Sequence, residues 1–99
     1  MLNINKLLTG NELSIALEGR LDTMTAPDLE SLLSANLGGV ESLSFDLSKL
    51  EYISSAGLRV LLSAQKTMNK QGSMVVRNAT EEVKEIFEVT GFSDILTIE

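Results

Sequence analysis

The sequence predicts an α/β fold: a mixed, mostly parallel β-sheet of about four to five strands with helices packed against it, opened by an N-terminal β-hairpin. Two observations carry that reading. The first two strand-like segments alternate apolar and polar residues on either side of a short turn, and from residue 25 onward segments of helical period lie between strand-like ones. Parallel neighbours need long return paths, which helices supply as right-handed crossovers.

Met1 to Leu8 and Glu12 to Glu18 (ELSIALE) alternate, and Thr9-Gly10-Asn11 supplies the turn between them. Gly19 to Met24 (GRLDTM) reads as a loop. Thr25-Ala26-Pro27-Asp28 then offers an N-cap threonine, a proline in the first turn and an acid at the third helical position, ahead of Leu29, Leu32, Leu33 and Leu37 at helical spacing. Met24, just before the cap, is placed to staple against Leu29. Gly38-Gly39 ends this helix, and Val40 to Leu47 (VESLSFDL) alternates as a strand. Ser48 to Ser55 (SKLEYISS) reads as a second loop, Ser55 to Lys70 as a second helix stopped by Gly72, and Ser73 to Arg77 (SMVVR) as a short buried strand. A third helix, capped near Asn78 or Thr80, buries Val83, Ile86 and Phe87 and ends at Gly91, with Phe92 closing a Schellman-type stop. Ile95 to Ile98 is expected as a last edge strand.

At 99 residues the chain is expected to be one domain, 1–99. It contains no cysteine and no histidine, which removes disulfides, thiolate metal sites and the commonest general base and metal ligand. Neither a metal nor a cofactor is expected. Fourteen acidic against eight basic residues give a net charge of -6, which repels nucleic acid and anionic lipid. No apolar run approaches the ~18 residues of a membrane span, and MLNINKLLTG is too polar for a signal peptide. The expected setting is the cytoplasm. The acids Glu81, Glu82, Glu85 and Glu88 read as a solvated helix face, and nothing in the pattern encloses paired carboxylates for acid–base catalysis.

The junction LEYISSAGLRVLL, Leu50 to Leu62, is the most informative stretch. A helix start needs one capping side chain, yet Ser54 and Ser55 are both present. Gly57 lies in the first turn, where glycine costs roughly 0.5 to 1 kcal/mol relative to alanine, so a neighbouring element or an external partner must approach closely there. The positive end of a helix tolerates a phosphate, so a serine at this place can be modified without unfolding the chain. Loops beyond the carboxyl ends of parallel strands tend to meet ligands and partners, which places Asp22 and the serine pair on one edge. Along the second helix Leu58, Leu61, Leu62 and Gln65 read as inward, and Arg59, Ser63, Lys66 and Lys70 as the outward stripe. Lys66 and Lys70 gain from the macrodipole near the helix C-terminus. Arg59, near the positive end, does not, so a contact with an acidic partner group is the sharper reading.

Phe45-Asp46-Leu47 through Tyr52-Ile53-Ser54-Ser55-Ala56-Gly57-Leu58, with Gly19-Arg20-Leu21-Asp22 upstream and Val89-Thr90-Gly91-Phe92 downstream, resembles the STAS domain of bacterial anti-sigma factor antagonists. The resemblance covers nearly the whole chain. In that family the junction typically reads Asp-Ser-Ser/Thr-Gly-Leu, and the serine after the aspartate is phosphorylated by an anti-sigma factor that is itself a serine kinase. The resemblance implies that Ser55 is the phosphorylated residue, with Ser54 second choice, that Ala56 takes the place of the following hydroxyl residue, and that Gly57 is the motif glycine. Ser54 stands where the family usually has aspartate. The resemblance further implies that Asp22 lies beside the phosphorylatable serine; together with the outward stripe of the second helix, Asp22, Ser54, Ser55, Ala56, Gly57, Arg59 and Ser63 make the expected partner-binding surface. The implied partners are the anti-sigma factor serine kinase, which brings its own nucleotide and metal, and a PP2C-type phosphatase, with the chain itself a monomer or weak dimer. The expected function is that of a binding switch rather than an enzyme. The competing expectation is a constitutive scaffold subunit of a stress-signalling or lipid/anion transport complex, in which Ser55 is never phosphorylated.

Overall fold

The protein is described over residues 2–99 by a computed structural model. Leu2–Thr9 (β1) and Glu12–Leu21 (β2) form an antiparallel hairpin, and β2 pairs in parallel with Ser42–Ile53 (β3). β3 pairs in parallel with Ser73–Arg77 (β4), giving the sheet order β1-β2-β3-β4. The helices are Ala26–Asn36 (α1), Ser55–Gln71 (α2) and Glu81–Thr90 (α3), followed by a 3-10 turn at Phe92–Asp94. Gly10, at the first turn position of the hairpin, has φ of 61°, a conformation that favours glycine.

β2, β3 and β4 are neighbours in sequence order, so two right-handed crossovers advance the same way and leave α1 and α2 on one face. The alternation follows from that. Leu13, Ile15 and Leu17 of β2, Leu43, Phe45 and Leu47 of β3, and Met74 and Val76 of β4 are buried toward the helices. Ser14, Ala16, Ser44 and Asp46 point to the open face, where Ser44 Oγ and Ser14 Oγ are hydrogen-bonded at 3.2 Å. The helices complete the core with Leu29, Leu33, Leu58, Leu61, Ala64, Met68, Val83 and Phe87. No helix among the described residues is long and apolar enough to cross a membrane.

Both strands leading to the junction run further than the alternation predicts. The expected loop 48–55 is strand as far as Ile53, and the expected loop 19–24 is strand as far as Leu21. The register explains the difference. Ala16 pairs with Asp46 but Glu18 with Lys49, and Gly19 pairs with Leu50 but Arg20 with Tyr52, so β3 carries two bulges. Its buried residues Leu47, Leu50 and Ile53 are then three apart instead of two, and the period of a strand is lost from the sequence.

Several local expectations need correction. Thr25 precedes α1 but makes no side-chain cap, because its Oγ1 accepts the Asp22 N–H at 2.9 Å and donates to the Arg20 carbonyl at 2.9 Å. Met24 does not staple against Leu29; it is 84% exposed. On α2 Leu62 is only half-buried, and Val60, Ala64 and Met68 take the inward places beside Leu58, Leu61 and Gln65. Thr80, not Asn78, caps α3, accepting the Val83 N–H at 3.4 Å. Gly91 is left-handed as expected at φ of 82°, but Phe92 starts a 3-10 turn packed on the core in place of a Schellman closure. The last edge strand shrinks to one bridge, Val76 to Ile98, held by Val76 N–H to Thr97 O and Glu99 N–H to Val76 O, both 2.8 Å.

Candidate functional site

β2 and β3 end as paired neighbours, Leu21 beside Ile53, so the residues that follow them emerge together. The Ser54 N–H donates to the Leu21 carbonyl at 2.8 Å, which joins the Asp22 loop to the start of α2. This bond brings the start of the Asp22 loop beside Ser54, while the Asp22 side chain turns to Met24 and Thr25.

The two serines divide the work. Ser54 is the N-cap, in extended conformation, and its Oγ accepts the Gly57 N–H at 3.3 Å. Serine and aspartate cap helices equally well, which accounts physically for Ser54 at this position. Ser55, the first helical residue, is exposed, and its hydroxyl has no hydrogen-bond partner among the described residues. Gly57 answers to packing: a Cβ there would stand 2.7 Å from Leu21 Cγ and 2.9 Å from Ile53 Cγ1. The close approach is made by the β2 and β3 side chains of the same chain, so the glycine seats α2 on the ends of the two strands.

Asp22 builds the loop before α1. Its Oδ1 accepts the Met24 N–H at 3.0 Å and the Thr25 N–H at 3.1 Å, and lies 3.2 Å from the Thr25 hydroxyl, whose one proton is directed to the nearer Arg20 carbonyl. Desolvation alone would raise its pKa, but the bonds from Thr25 and Met24 outweigh it and hold the carboxyl below the ordinary aspartate value. The second oxygen lies 4.0 Å from Arg20 Nε, and the Arg20 guanidinium stacks 4.6 Å from the centre of the Tyr52 ring. Arg20 and Tyr52 are a register pair across β2 and β3, a relationship hidden in the sequence by the bulge between them.

Ala56, Arg59 and Val60 face Thr23, Ala26, Pro27 and Glu30 across a shallow cleft between the first turns of α1 and α2. Glu30 and Val60 also border a second groove, lined further along by Leu33, Ser34, Leu37, Ser63, Ala64 and Thr67. Ser63 is therefore not at the serine edge; it lies roughly 12 Å along the helix axis from Ser55. Arg59, Ser63, Lys66 and Lys70 are all exposed, as the outward stripe requires. Arg59 has no carboxylate partner among the described residues. Met24 adds an exposed apolar side chain to the same edge, in the loop that Asp22 holds. No cluster of three or more His, Cys, Asp or Glu residues is placed to hold a metal ion among the described residues.

The sequence that builds this helix start is matched by a known family. The family model described as the Mlab, STAS domain covers residues 4–97. A protein of Bordetella bronchiseptica provisionally named anti-sigma factor antagonist BtrV is 38% identical over 84 residues, covering 83% of this chain and 72% of that protein. The chain belongs to the STAS-domain anti-sigma factor antagonist family. The anti-sigma-B factor antagonist of Bacillus subtilis is 29% identical over 98 residues, covering 98% of this chain and 90% of that protein. A crystal structure of an anti-sigma factor antagonist from Mycobacterium paratuberculosis superimposes with a TM-score of 0.89 over 99% of this chain and 85% of that one, at 21% identity. The Bacillus cell fate determinant SpoIIAA in its phosphorylated form superimposes with a TM-score of 0.75 over 100% of this chain and 91% of that one, at 17% identity. At such identities the structural likeness is one of fold. The STAS fold expected from the sequence is thus the fold observed.

Proposed function

We propose that this STAS domain is an anti-sigma factor antagonist that works as a phosphorylation-controlled binding switch. Unmodified, it binds an anti-sigma factor that is a serine kinase, through the Ser55 edge and the exposed stripe of α2, and so frees a sigma factor. The kinase phosphorylates Ser55, the complex comes apart, and a PP2C-type phosphatase restores the binding form. The domain itself acts by binding and not by catalysis, with nucleotide and metal on the kinase. The carrying observation is the division between the serines. Ser54 is committed to the cap, while Ser55 is exposed with an unengaged hydroxyl.

Phosphate on Ser55 would sit at the N-terminus of a 17-residue helix, where negative charge is favoured, so the fold accepts what the interface rejects. The phosphorylated SpoIIAA structure, of the same fold, is compatible with such tolerance. In a complex closed over this edge, with Arg59 one turn on taken up by an acid of the partner, the added charge is desolvated at a cost of several kcal/mol.

The test is calorimetric titration of Ser55→Ala and Ser55→Asp against the cognate anti-sigma factor, with mass mapping of the protein purified from its own cells. Alanine is expected to bind nearly as the native protein, and aspartate far more weakly, with phosphate found on Ser55. Equal binding by both variants, with no phosphate under growth or stress, would instead identify a constitutive binding subunit.

A further inference from the structure

We propose that β1 is a self-association edge, through which two copies of this chain pair antiparallel into one continuous sheet about a two-fold axis at Asn5. The β1 side is the freer edge of the sheet. The β4 edge is already engaged by the Val76–Ile98 bridge and the hydrogen bonds flanking it, whereas β1 is the outermost strand on the other side. β1 runs eight residues without proline, long enough to template a second strand through its outward N–H and C=O groups. It also carries adjacent exposed leucines on its two faces, Leu7 at 67% and Leu8 at 54%.

Charge selects the occupant. The chain carries -6, yet LNINKLLT contains no acid and one lysine, so β1 is a place where two acidic copies meet without carboxylates opposed. Symmetry and side-chain direction then select the register. A two-fold axis normal to the sheet keeps each face on its own side, so paired residue numbers must sum to an even number. Centring on Lys6 would oppose two ammonium groups. Centring on Asn5 sets Asn5 against its symmetry mate, Asn3 against Leu7, Ile4 against Lys6, and Leu2 against Leu8. The exposed Leu8 then covers Leu2 of the other copy on the helix-bearing face, where Leu2 and Ile4 already pack on the core. Lys6 avoids its mate and keeps its bond to Asn36 Oδ1 at 3.0 Å. Both serine edges stay open, at opposite ends of the joined sheet, so one dimer presents two sites.

The absence of native cysteine makes a clean test possible. Opposed residues of an antiparallel pair have Cβ atoms about 4.5–5.5 Å apart, whereas two copies of residue 9 in this register lie roughly 26 Å apart. Asn5→Cys is expected to give a disulfide-linked dimer under mild oxidation, and Thr9→Cys to remain unlinked over the same interval. Sedimentation velocity on the native protein should show a mass rising with concentration from that of a 10.7 kDa monomer. Leu8→Lys should shift that association to at least about tenfold higher concentration. A mass that stays monomeric up to ~1 mM overturns the proposal, as does equally fast linkage of the two cysteine variants. Association unaffected by Leu8→Lys would place the dimer contact elsewhere and also overturn it.

Discussion

Gly57 rests on Leu21: a single added carbon at Gly57 would fall 2.7 Å from Leu21 Cγ, inside any normal contact distance. Leu21 is fully buried at the end of β2, so it has nowhere to retreat. Gly57→Ala is therefore expected to destabilise the fold by about 1–3 kcal/mol, despite alanine's better helix propensity. Urea denaturation checks this. A gain in stability would mean that α2 lifts freely from the strand ends.

The two serines should separate in the same assay. Ser54→Ala removes the hydroxyl that accepts the Gly57 N–H and should cost about 1 kcal/mol. Ser55→Ala removes an exposed, unengaged hydroxyl and should stay within about 0.5 kcal/mol of the native protein. A reversed order would make Ser55 the cap.

Leu61 faces the sheet from the middle of α2 and is completely buried. Leu61→Ala should lower stability by about 2–5 kcal/mol through the cavity it leaves. A smaller loss would show that the α2 interface closes over the gap.

The acid limb of stability has two named contributors. The Asp46 carboxyl is held below the ordinary value by the Ser48 N–H at 3.0 Å, against partial desolvation, with Asn78 assisting, and Asp22 is held low by Thr25 and Met24. Both folded pKa values lie below 3.8, so as pH falls the unfolded chain takes up these protons first. Their contribution is complete above that value and is lost as pH drops through the folded pKa values. Asp22→Asn with Asp46→Asn should flatten the decline of stability below about pH 4, measured by denaturation across a pH series. An unchanged acid limb would assign the decline to other carboxylates.

Much of this was readable in the sequence, and the exceptions have two causes. The hairpin, the three helices and β4 follow from period and punctuation, because alternation and i, i+3, i+4 spacing survive wherever the backbone is regular. The ends of β2 and β3 were lost because the bulges at 16–20 and 46–52 change the spacing of Leu47, Leu50 and Ile53. The same irregularity hid the stacking of Arg20 on Tyr52, a cross-strand pair with no local signature. Thr25 fits the sequence pattern of a cap, yet the Asp22 turn draws its hydroxyl backward into the loop. That turn also explains Met24: the loop is held by its own carboxylate, so no staple is needed and the side chain is left in solvent.

The exposed Met24 and the unpaired Arg59 make a joint prediction about the partner. They belong to the two loop and helix ends that Ser54 and Leu21 tie together, one offering apolar surface and the other a cation without an internal carboxylate. An interface that closes over Ser55 should seat the methionine in an apolar recess and meet Arg59 with an acid. Arg59→Glu is expected to weaken binding to the cognate anti-sigma factor by about 1–3 kcal/mol, chiefly by slowing association if the charge lies at the rim. Met24→Ala should weaken it by about 1 kcal/mol or more, chiefly by faster dissociation. Neither change should move folding stability by more than about 0.5 kcal/mol, because both side chains are exposed. Surface plasmon resonance gives the two rates separately. If both variants bind as the native protein does while Ser55→Asp does not, the partner approaches Ser55 from the open face of the sheet, past Arg20 and Tyr52, and not across the cleft between α1 and α2.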